Sequence, residues 1–350
     1  MMTKRLFFFL LLSICSLLLV SCSKEVNPIT YDKHGIPRLK GHHLVAYVAS
    51  REEVGNALLS SFCQETGCTY EFMRLSTEDI LRRVAQEKNN PQADLVIGGT
   101  VDAHITMKNE KLSEPVISKN GSHIPAETKD EDGYWYGYEI EQLSIAINAD
   151  RWHKEIEPLG LSFPTKWADL LHPAYKNQIV MSNPNFSGTA YTFILSLFET
   201  LGEKQAIDYI TRLHPNIAAL TVNGYMPAQL VSSGEYLIGI NFLGDQRKLR
   251  EAGFPLISIV PEDTGLAVNA LSKIKHAPNG LVADLFIDYS LSKQAAKVLE
   301  RVSYGIPTVQ QEKMNRLNMD VIQIHESMKW HDTIIKLWNK LRDTKQPQGE

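Results

Sequence analysis

Apolar runs typical of strands alternate with amphipathic runs typical of helices near the start of the chain. Strand patterns lie at 44–49, 69–74 and 94–99, and apolar residues recur at helical spacing over 54–62 and 78–88. This β-α-β-α-β order predicts a parallel sheet with helices on its faces. Ligands of such sheets bind beyond the carboxyl ends of the strands. The residues at these strand ends are Ser50, Arg51, Ser76, Thr77, Gly99 and Thr100.

A second set of strand and helix patterns follows residues 121–137, which are rich in glycine, proline, charge and aromatic residues. Its strand patterns lie at 143–148, 179–181, 236–240 and 256–260, with helical patterns between and after them, the last over 320–341. We therefore predict an α/β protein with two lobes, each a mostly parallel sheet with flanking helices.

The predicted lobes are not continuous in sequence. The first comprises residues 41–140 and 265–350, including the C-terminal helices, and the second comprises residues 141–264. Connecting strands are expected near 138–148 and 258–270. A ligand held between two lobes and enclosed by hinge closure is typical of transport receptors.

The strand pattern at 179–181 ends in a polar loop that leads through Ser187, Gly188 and Thr189 into a helix. A helix N-terminus presents unpaired backbone N–H groups and the positive end of the helix dipole. Gly188 lets a ligand approach the backbone, and the hydroxyl groups of Ser187 and Thr189 can donate hydrogen bonds. These features predict a seat for a phosphate, phosphonate or carboxylate. The alternative is an ordinary N-cap at Ser187.

The N-terminus has the three parts of a secretory signal. Lys4 and Arg5 precede an apolar run over 6–20, and the small residue Ser21 precedes Cys22. This ending resembles a bacterial lipobox, so cleavage after residue 21 and lipidation of Cys22 are expected, followed by a polar tether over 22–40. An ordinary signal peptide is the alternative. The protein is expected in the periplasm or on the extracytoplasmic face, anchored to a membrane.

Charge and cysteine content narrow the possible partners. The formal net charge of −4 gives no basic excess for nucleic acid. Cys63 and Cys68 lie in a compartment that favours a disulfide. No metal is expected, since two cysteines fall short of four ligands and His42, His43 and His104 are interpreted as surface residues.

No motif for catalysis stands out. The Gly-x-Ser-x-Gly elbow, the phosphate-binding Walker loop and the His-Glu-x-x-His motif are absent from the sequence. No nucleophile or base with a partner residue is evident, and neither enzyme activity nor a cofactor is expected.

Several motifs in order along the chain resemble one known family, the solute-binding proteins, family 1, of bacterial ABC importers. They comprise 90–96, Asp132-Gly133-Tyr134-Trp135-Tyr136-Gly137, 164–176 with Trp167-Ala168-Asp169-Leu170-Leu171-His172-Pro173, the Ser187-Gly188-Thr189 loop, 232–235 and 291–296. The resemblance extends from about residue 44 to 309. It lies within the branch that holds ferric-ion, phosphonate and sugar-phosphate binders. It implies a two-lobed periplasmic-binding-protein type II fold with hinge strands, and delivery of the ligand to a permease and its ATPase.

The resemblance alone does not identify the ligand. Ferric binders of this branch resemble one another in an adjacent Tyr-Tyr pair, and here that position holds Phe242-Leu243, which offer no anionic oxygen. Sugar-phosphate binders resemble the chain better, with Ser-Gly-Thr on the phosphate and an acid, here Asp245, on the sugar. A second acid expected around Ala267-Val268 is missing.

The candidate ligand-binding residues each have a plainer interpretation. Arg51 can bind a phosphate bidentately or remain a solvated charge. Ser76 and Thr77 can donate hydrogen bonds, with a helix cap explaining at least one, and Gly99 and Thr100 share this ambiguity. Asp245 can accept from sugar hydroxyl groups or an amine, or cap the helix at Gln246.

Three further residues have a possible role at the ligand, but an ordinary structural role is favoured for each. Glu139 can reach the cleft, but surface exposure is the favoured interpretation. Tyr134 and Trp135 can stack on a ring or close the cleft, but core packing is the favoured interpretation.

We therefore expect a monomeric, lipid-anchored receptor for a small phosphorylated organic anion. A ferric-ion receptor is the alternative within the class. A phosphate-processing enzyme and a non-transporting sensor or adhesin are alternatives outside it.

Overall fold

The computed structural model describes residues 28–317 and 328–345. The predicted signal peptide, Cys22 and residues 318–327 of the last predicted helix lie outside the described residues. The predicted tether over 22–40 is structured from Thr30 onward, where two short antiparallel strands pair and Leu39 is fully buried. Leu39 is held by apolar contacts in the first core, which the polar composition of the segment does not indicate.

The strands and helices alternate along most of the chain. The strands are β1 Thr30–Tyr31, β2 Pro37–Arg38, β3 His43–Val48, β4 Thr69–Arg74, β5 Leu95–Thr100, β6 Ser113–Glu114, β7 Tyr136–Asn148, β8 Ile179–Ser182, β9 Ile217–Thr221, β10 Ile238–Phe242, β11 Leu256–Ile259, β12 Leu266–Ile274 and β13 Ile306–Pro307. The α-helices are α1 Glu52–Thr66, α2 Thr77–Glu87, α3 Val101–Asn109, α4 Ala149–Arg151, α5 Gly188–Leu201, α6 Glu203–Leu213, α7 Met226–Ser232, α8 Leu243–Glu251, α9 Gly280–Ser290, α10 Lys293–Val302, α11 Gln311–Met314 and α12 His331–Lys345. Single 3₁₀ or π turns lie at Asn120–His123, Ala126–Thr128, Trp152–Ile156, Glu157–Leu159, Trp167–Leu171, Pro173–Tyr175 and His214–Asn216.

One strand, β7, joins the two lobes. Its first half pairs antiparallel with β12, and its second half pairs antiparallel with β10 and β11. The first lobe contains parallel β3, β4 and β5, and the second contains parallel β8, β9 and β10. The α/β fold with two lobes and connecting strands is therefore as predicted.

Strand β7 begins at Tyr136, earlier than the predicted start at residue 143. Polar residues interrupt its first half, which therefore lacks the apolar run that marked the second half. Those polar residues are nevertheless buried, because both neighbouring strands and the lobe interface cover them.

Each lobe has its own hydrophobic core. The first core forms around β3, β5, α1 and α9, and the second around β8, β10, α5 and α6. Ile334 and Trp338 of α12 are buried in the second core, although the C-terminal helices were predicted in the first lobe. The amphipathic pattern of this helix indicated that it packs, but it carried no information about which lobe it packs on. In the residues that the structure describes, no helix is long and apolar enough to cross a membrane.

The first lobe also contains the predicted cysteine pair. Cys63, in the last turns of α1, is bonded to Cys68, and their Cα atoms are 4.6 Å apart. Gly67 between them has φ +84°, which ends the helix in a left-handed turn and brings the two cysteines together.

Candidate functional site

A cleft that is partly open to solvent lies between the two lobes. Every ligand-binding residue that the sequence predicted lines this cleft: Ser50, Arg51, Ser76, Thr77, Gly99, Thr100, Ser187, Gly188, Thr189 and Asp245. The first six come from the carboxyl ends of β3, β4 and β5, and the last four come from the starts of α5 and α8. Two sheets facing each other through these ends therefore form one polar site.

The N-terminus of α5 forms one wall. Ser187 precedes the helix with extended backbone, but its side chain makes no capping hydrogen bond, so the cap interpretation does not hold there. The side chains of Ser187 and Thr189 are buried at the wall of the cleft. The first residues of a long, apolar helix thus line the cleft, where backbone N–H groups and two hydroxyl groups are available as donors.

Gly188 is required by contact between the lobes. A Cβ atom at this position would lie 2.2 Å from Oγ1 of Thr100, which belongs to the first lobe. The sequence suggested that this glycine lets a ligand approach the backbone. In the structure the nearest group is the Thr100 side chain, so the glycine allows the lobes to meet.

The opposite wall is made by the ends of β4 and β5. Ser76 is the N-cap of α2, accepting from the backbone N–H of Asp79 at 3.2 Å, as the cap interpretation predicted. Gly98 and Gly99 both have positive φ angles, +78° and +82°. A side chain on Gly98 would collide with the backbone nitrogen of Ser50 at 2.8 Å, so this turn needs glycine.

Arg51 is neither a solvated charge nor a free phosphate ligand in this structure. Its side chain is 7% exposed, and its Nε atom forms an ion pair of 3.1 Å with Asp245 of the second lobe. The remaining guanidinium nitrogens donate to Glu53 and to the carbonyl oxygens of Val302 and Ser303 at 2.8–3.0 Å. All three guanidinium nitrogens of Arg51 therefore already have partners within the protein.

Asp245 lies in the first turn of α8 and does not cap it, because the helix already begins at Leu243 with Phe242 at the N-cap. Burial raises the pKa of Asp245 to about 6, although the neighbouring Arg51 opposes the shift. Asn241 donates a long hydrogen bond of 3.4 Å to the same carboxyl group.

Arg74 is a cation that the sequence analysis did not select. It is the last residue of β4, and it lines the cleft. Among the described residues, the hydrogen bonding of its side chain is limited to a 3.5 Å contact from Nε to the carbonyl oxygen of Ser50. Burial lowers the pKa of Arg74, and the charges of Asp245 and Glu52 partly oppose this. Arg74 therefore has guanidinium donors available to an anion.

Two buried acids of β7 also line the cleft. Glu139 is 1% exposed, so the favoured interpretation of surface exposure was wrong. It accepts hydrogen bonds from Ser303 Oγ and, at 3.2 Å, from Asn269 Nδ2. Burial raises the pKa of Glu139 and raises that of Glu141 well above its usual range, with neighbouring carboxylates adding to the second shift.

The second acid that was expected around Ala267-Val268 has a counterpart on the adjacent strand. Ala267 of β12 pairs with Glu141 of β7, and Asn269 pairs with Glu139. Nothing local in the sequence signals this, because alternating polar residues on a strand normally indicate a solvated face.

Two of the three histidines that were expected on the surface lie in the interior of the protein. His42 and His104 are buried, whereas both were expected on the surface. His104 contacts Ser272 Oγ at 2.7 Å and the carbonyl oxygen of Gly98 at 3.0 Å, so it supports the turn behind the cleft. Burial lowers the pKa of His104 to about 4. Trp135 packs in a core cluster as predicted, and the partly buried Tyr134 packs against the same cluster.

Comparison with known proteins agrees with this architecture. Residues 90–321 match the family model of the bacterial extracellular solute-binding proteins. An uncharacterized protein of Haemophilus influenzae is 33% identical over 272 residues, covering 75% of this chain and 77% of that one. The chain therefore belongs to the bacterial extracellular solute-binding protein family, whose members serve ABC importers outside the cytoplasm.

Solved structures share the two-lobed fold. The periplasmic binding protein AfuA from Actinobacillus pleuropneumoniae, solved with fructose-6-phosphate bound, is 30% identical with a TM-score of 0.77, over 86% of this chain and 98% of that one. A ferric binding protein from Campylobacter jejuni is 21% identical with a TM-score of 0.68, over 85% and 99% of the two chains. The second similarity shows the fold alone.

Proposed function

We propose that the protein captures a small phosphorylated organic anion, a sugar phosphate or a phosphonate, in its interlobe cleft. The observation that carries this proposal is that two kinds of group line the same cleft. Arg74 and the N-terminus of α5 can hold an anion, and the buried carboxyl groups of Glu139, Glu141 and Asp245 can accept hydrogen bonds.

Arg74 and the N-terminus of α5 suit a phosphate group. Backbone N–H groups at a helix N-terminus and hydroxyl donors hold such a group through hydrogen bonds, and a guanidinium supplies charge. Ser187, Thr189 and Thr100 would supply the hydroxyl donors, with Thr77 and Gly99 beside them. Arg74 would supply the charge, because Arg51 is already paired with Asp245.

The buried acids suit the rest of the ligand. The carboxyl groups of Glu139, Glu141 and Asp245 can accept hydrogen bonds from hydroxyl or ammonium groups. A second anionic group beside them would be repelled. The fructose-6-phosphate in the AfuA structure has this combination of a phosphate and several hydroxyl groups, which supports a sugar phosphate.

The bound ligand would pass to the permease and ATPase subunits of an importer without chemical change. The ligand would bind the closed state of the receptor more tightly than the open state, so binding would favour closure of the lobes, and no bond would be broken. We further propose that Cys22 is lipidated, so that a monomeric receptor remains attached to the membrane beside its permease.

Thermal denaturation with a panel of compounds tests the ligand class. The panel contains fructose 6-phosphate, 2-aminoethylphosphonate, phosphoglycerate, inorganic phosphate and ferric citrate. A ligand at a concentration of 100 times its Kd should stabilise the protein by about 2.7 kcal/mol. A shift with an organic phosphate and none with inorganic phosphate supports the proposal. A shift with ferric citrate alone, giving a coloured complex, would establish iron instead.

Iron is the second candidate because the ferric binding protein from C. jejuni has the same fold. By the sequence resemblance, Phe242 and Leu243 hold the position of the two tyrosines of ferric binders, and the described residues contain no group of three or more His, Cys, Asp or Glu arranged to hold a metal ion. Hard Fe³⁺ needs anionic oxygen ligands, so the phosphate proposal has the better chemical support. Phosphate release under turnover would indicate an enzyme, and a neighbouring permease gene would favour transport over sensing.

A further inference from the structure

Helix α8 of the second lobe faces the first lobe with one stripe of polar side chains. Asp245, Lys248 and Glu251 are spaced by three residues, so they project from one side of the helix. Asp245 pairs with Arg51 at 3.1 Å, Lys248 pairs with Glu53, and Glu251 accepts a hydrogen bond of 2.5 Å from the hydroxyl of Tyr304. Every partner in these pairs belongs to the first lobe.

The partners on the first lobe are themselves held in place. Arg51 donates to the last carbonyl groups of α10 through Val302 and Ser303, both at 2.8 Å. The next residue, Tyr304, has a φ of +63°, a left-handed conformation that bulky residues rarely adopt. Such a conformation persists only where surrounding contacts maintain it. The contact to Glu251 is one of these.

The start of α8 fits closely against the first lobe. A Cβ atom on Gly244 would lie 2.8 Å from the carbonyl oxygen of Ser303 and 2.9 Å from a carboxyl oxygen of Glu141. The ring of Tyr225 lies 5.7 Å from the guanidinium of Arg51 and 5.5 Å from the ammonium of Lys248. The helix is therefore seated on the first lobe along its whole length.

We propose that this stripe is a latch that draws the two lobes together before any ligand binds. Lys248 and Glu251 are positioning residues that act by holding Asp245 against Arg51. The latch goes beyond the proposed function, since it requires no particular ligand. It raises the fraction of molecules in the binding-competent state, and apparent affinity rises in proportion to that fraction.

Salt sensitivity follows from the exposure of the outer pairs. The side chains of Lys248 and Glu53 are 34% and 39% exposed, so their attraction is screened by dissolved ions. The screening length falls from about 10 Å at 0.1 M salt to about 3 Å at 1 M. The latch therefore holds the lobes more firmly in dilute salt.

Small-angle X-ray scattering of the protein freed of ligand by dialysis tests the latch. The radius of gyration of the wild type should be small in dilute salt and should increase at 1 M salt. Lys248→Met with Tyr304→Phe should have the larger radius already in dilute salt and should lose most of the salt response. Arg247→Met is the matched control, because it removes the same charge from an exposed position of α8 and should behave as wild type.

A double variant with the wild-type radius in dilute salt would overturn the proposal, as would a wild-type radius that does not change with salt. If circular dichroism shows that the double variant is unfolded, Tyr304→Phe alone and the wild-type salt series decide by the same criteria. No ligand is added, so failure of the latch leaves the proposal of anion binding intact, and failure of the ligand panel leaves the latch intact.

Discussion

Arg51 and Asp245 form a buried ion pair of 3.1 Å although they belong to different lobes. Arg51 follows the first strand of the first lobe, and Asp245 lies in the first turn of α8 in the second. The two side chains are 7% and 9% exposed, so water screens their attraction only weakly. Because Arg51 is engaged in this way, the positive charge for the proposed anionic ligand would come from another residue.

Replacing Arg74 should weaken ligand binding more than any other single change among the residues proposed to hold the anion. Arg74→Met should lower the affinity for fructose 6-phosphate by about 10- to 100-fold, since hydrogen bonds to charged groups contribute about 1.5–3 kcal/mol. Isothermal titration calorimetry measures the change. Arg82→Met is the control, because Arg82 is exposed on α2 away from the cleft. Equal affinities in the two variants would show that Arg74 does not contact the anion.

Asp245 should make stability depend on pH in a defined direction. Its pKa is raised to about 6 by burial, so between pH 4 and 6 the folded state holds a proton that the unfolded state has lost. The free energy of unfolding should therefore fall as pH rises through about 6. Asp245→Asn should lose this part of the dependence, which urea denaturation at pH 5 and pH 7 measures. An identical pH dependence in variant and wild type would contradict the assignment.

The local features of the site could be predicted from sequence. Ser50, Ser76 and Gly99 lie at or just beyond the carboxyl ends of β3, β4 and β5, and the rule that ligands bind beyond such ends predicted that they share one cleft. Arg74 could have been found by the same rule, since it lies two residues before Ser76. It was missed because it completes the alternating pattern of β4 and was therefore counted as part of the strand.

The buried acids could not be predicted in this way. Glu139 and Glu141 lie on β7, whose neighbours β12 and β13 come from more than a hundred residues further along the chain. Whether a polar face is solvated or buried depends on that distant pairing, which a local pattern does not contain. The packing of Ile334 and Trp338 on the second lobe depends on distant contacts for the same reason.

Gly188 provides a test that separates contact between lobes from contact with ligand. Gly188→Ala places a methyl group 2.2 Å from Thr100 Oγ1 and should prevent full closure, lowering the affinity for fructose 6-phosphate by at least about tenfold. Adding Thr100→Ala removes that oxygen and leaves the Thr100 Cβ at 3.1 Å, so the affinity should return close to that of Thr100→Ala alone, which lacks only the Thr100 hydroxyl donor. Titration of both variants and of Thr100→Ala alone measures this. A double variant much weaker than Thr100→Ala alone would mean that the glycine makes room for the ligand.

His104 should contribute a pH dependence of the free energy of unfolding that is opposite in sign to that of Asp245. Its pKa is lowered to about 4 by burial, while in the unfolded chain it is close to 6.5. Below about pH 6.5 the unfolded state takes up a proton that the folded state does not, so stability should be lost as pH falls from 6.5 to 4. His104→Gln keeps a side chain that can donate to the Gly98 carbonyl and should flatten this loss while lowering stability at pH 7 by about 1–3 kcal/mol. Urea denaturation over pH 4.5–7 measures both effects. A variant that retains the wild-type loss of stability below pH 6.5 would show that another group is responsible.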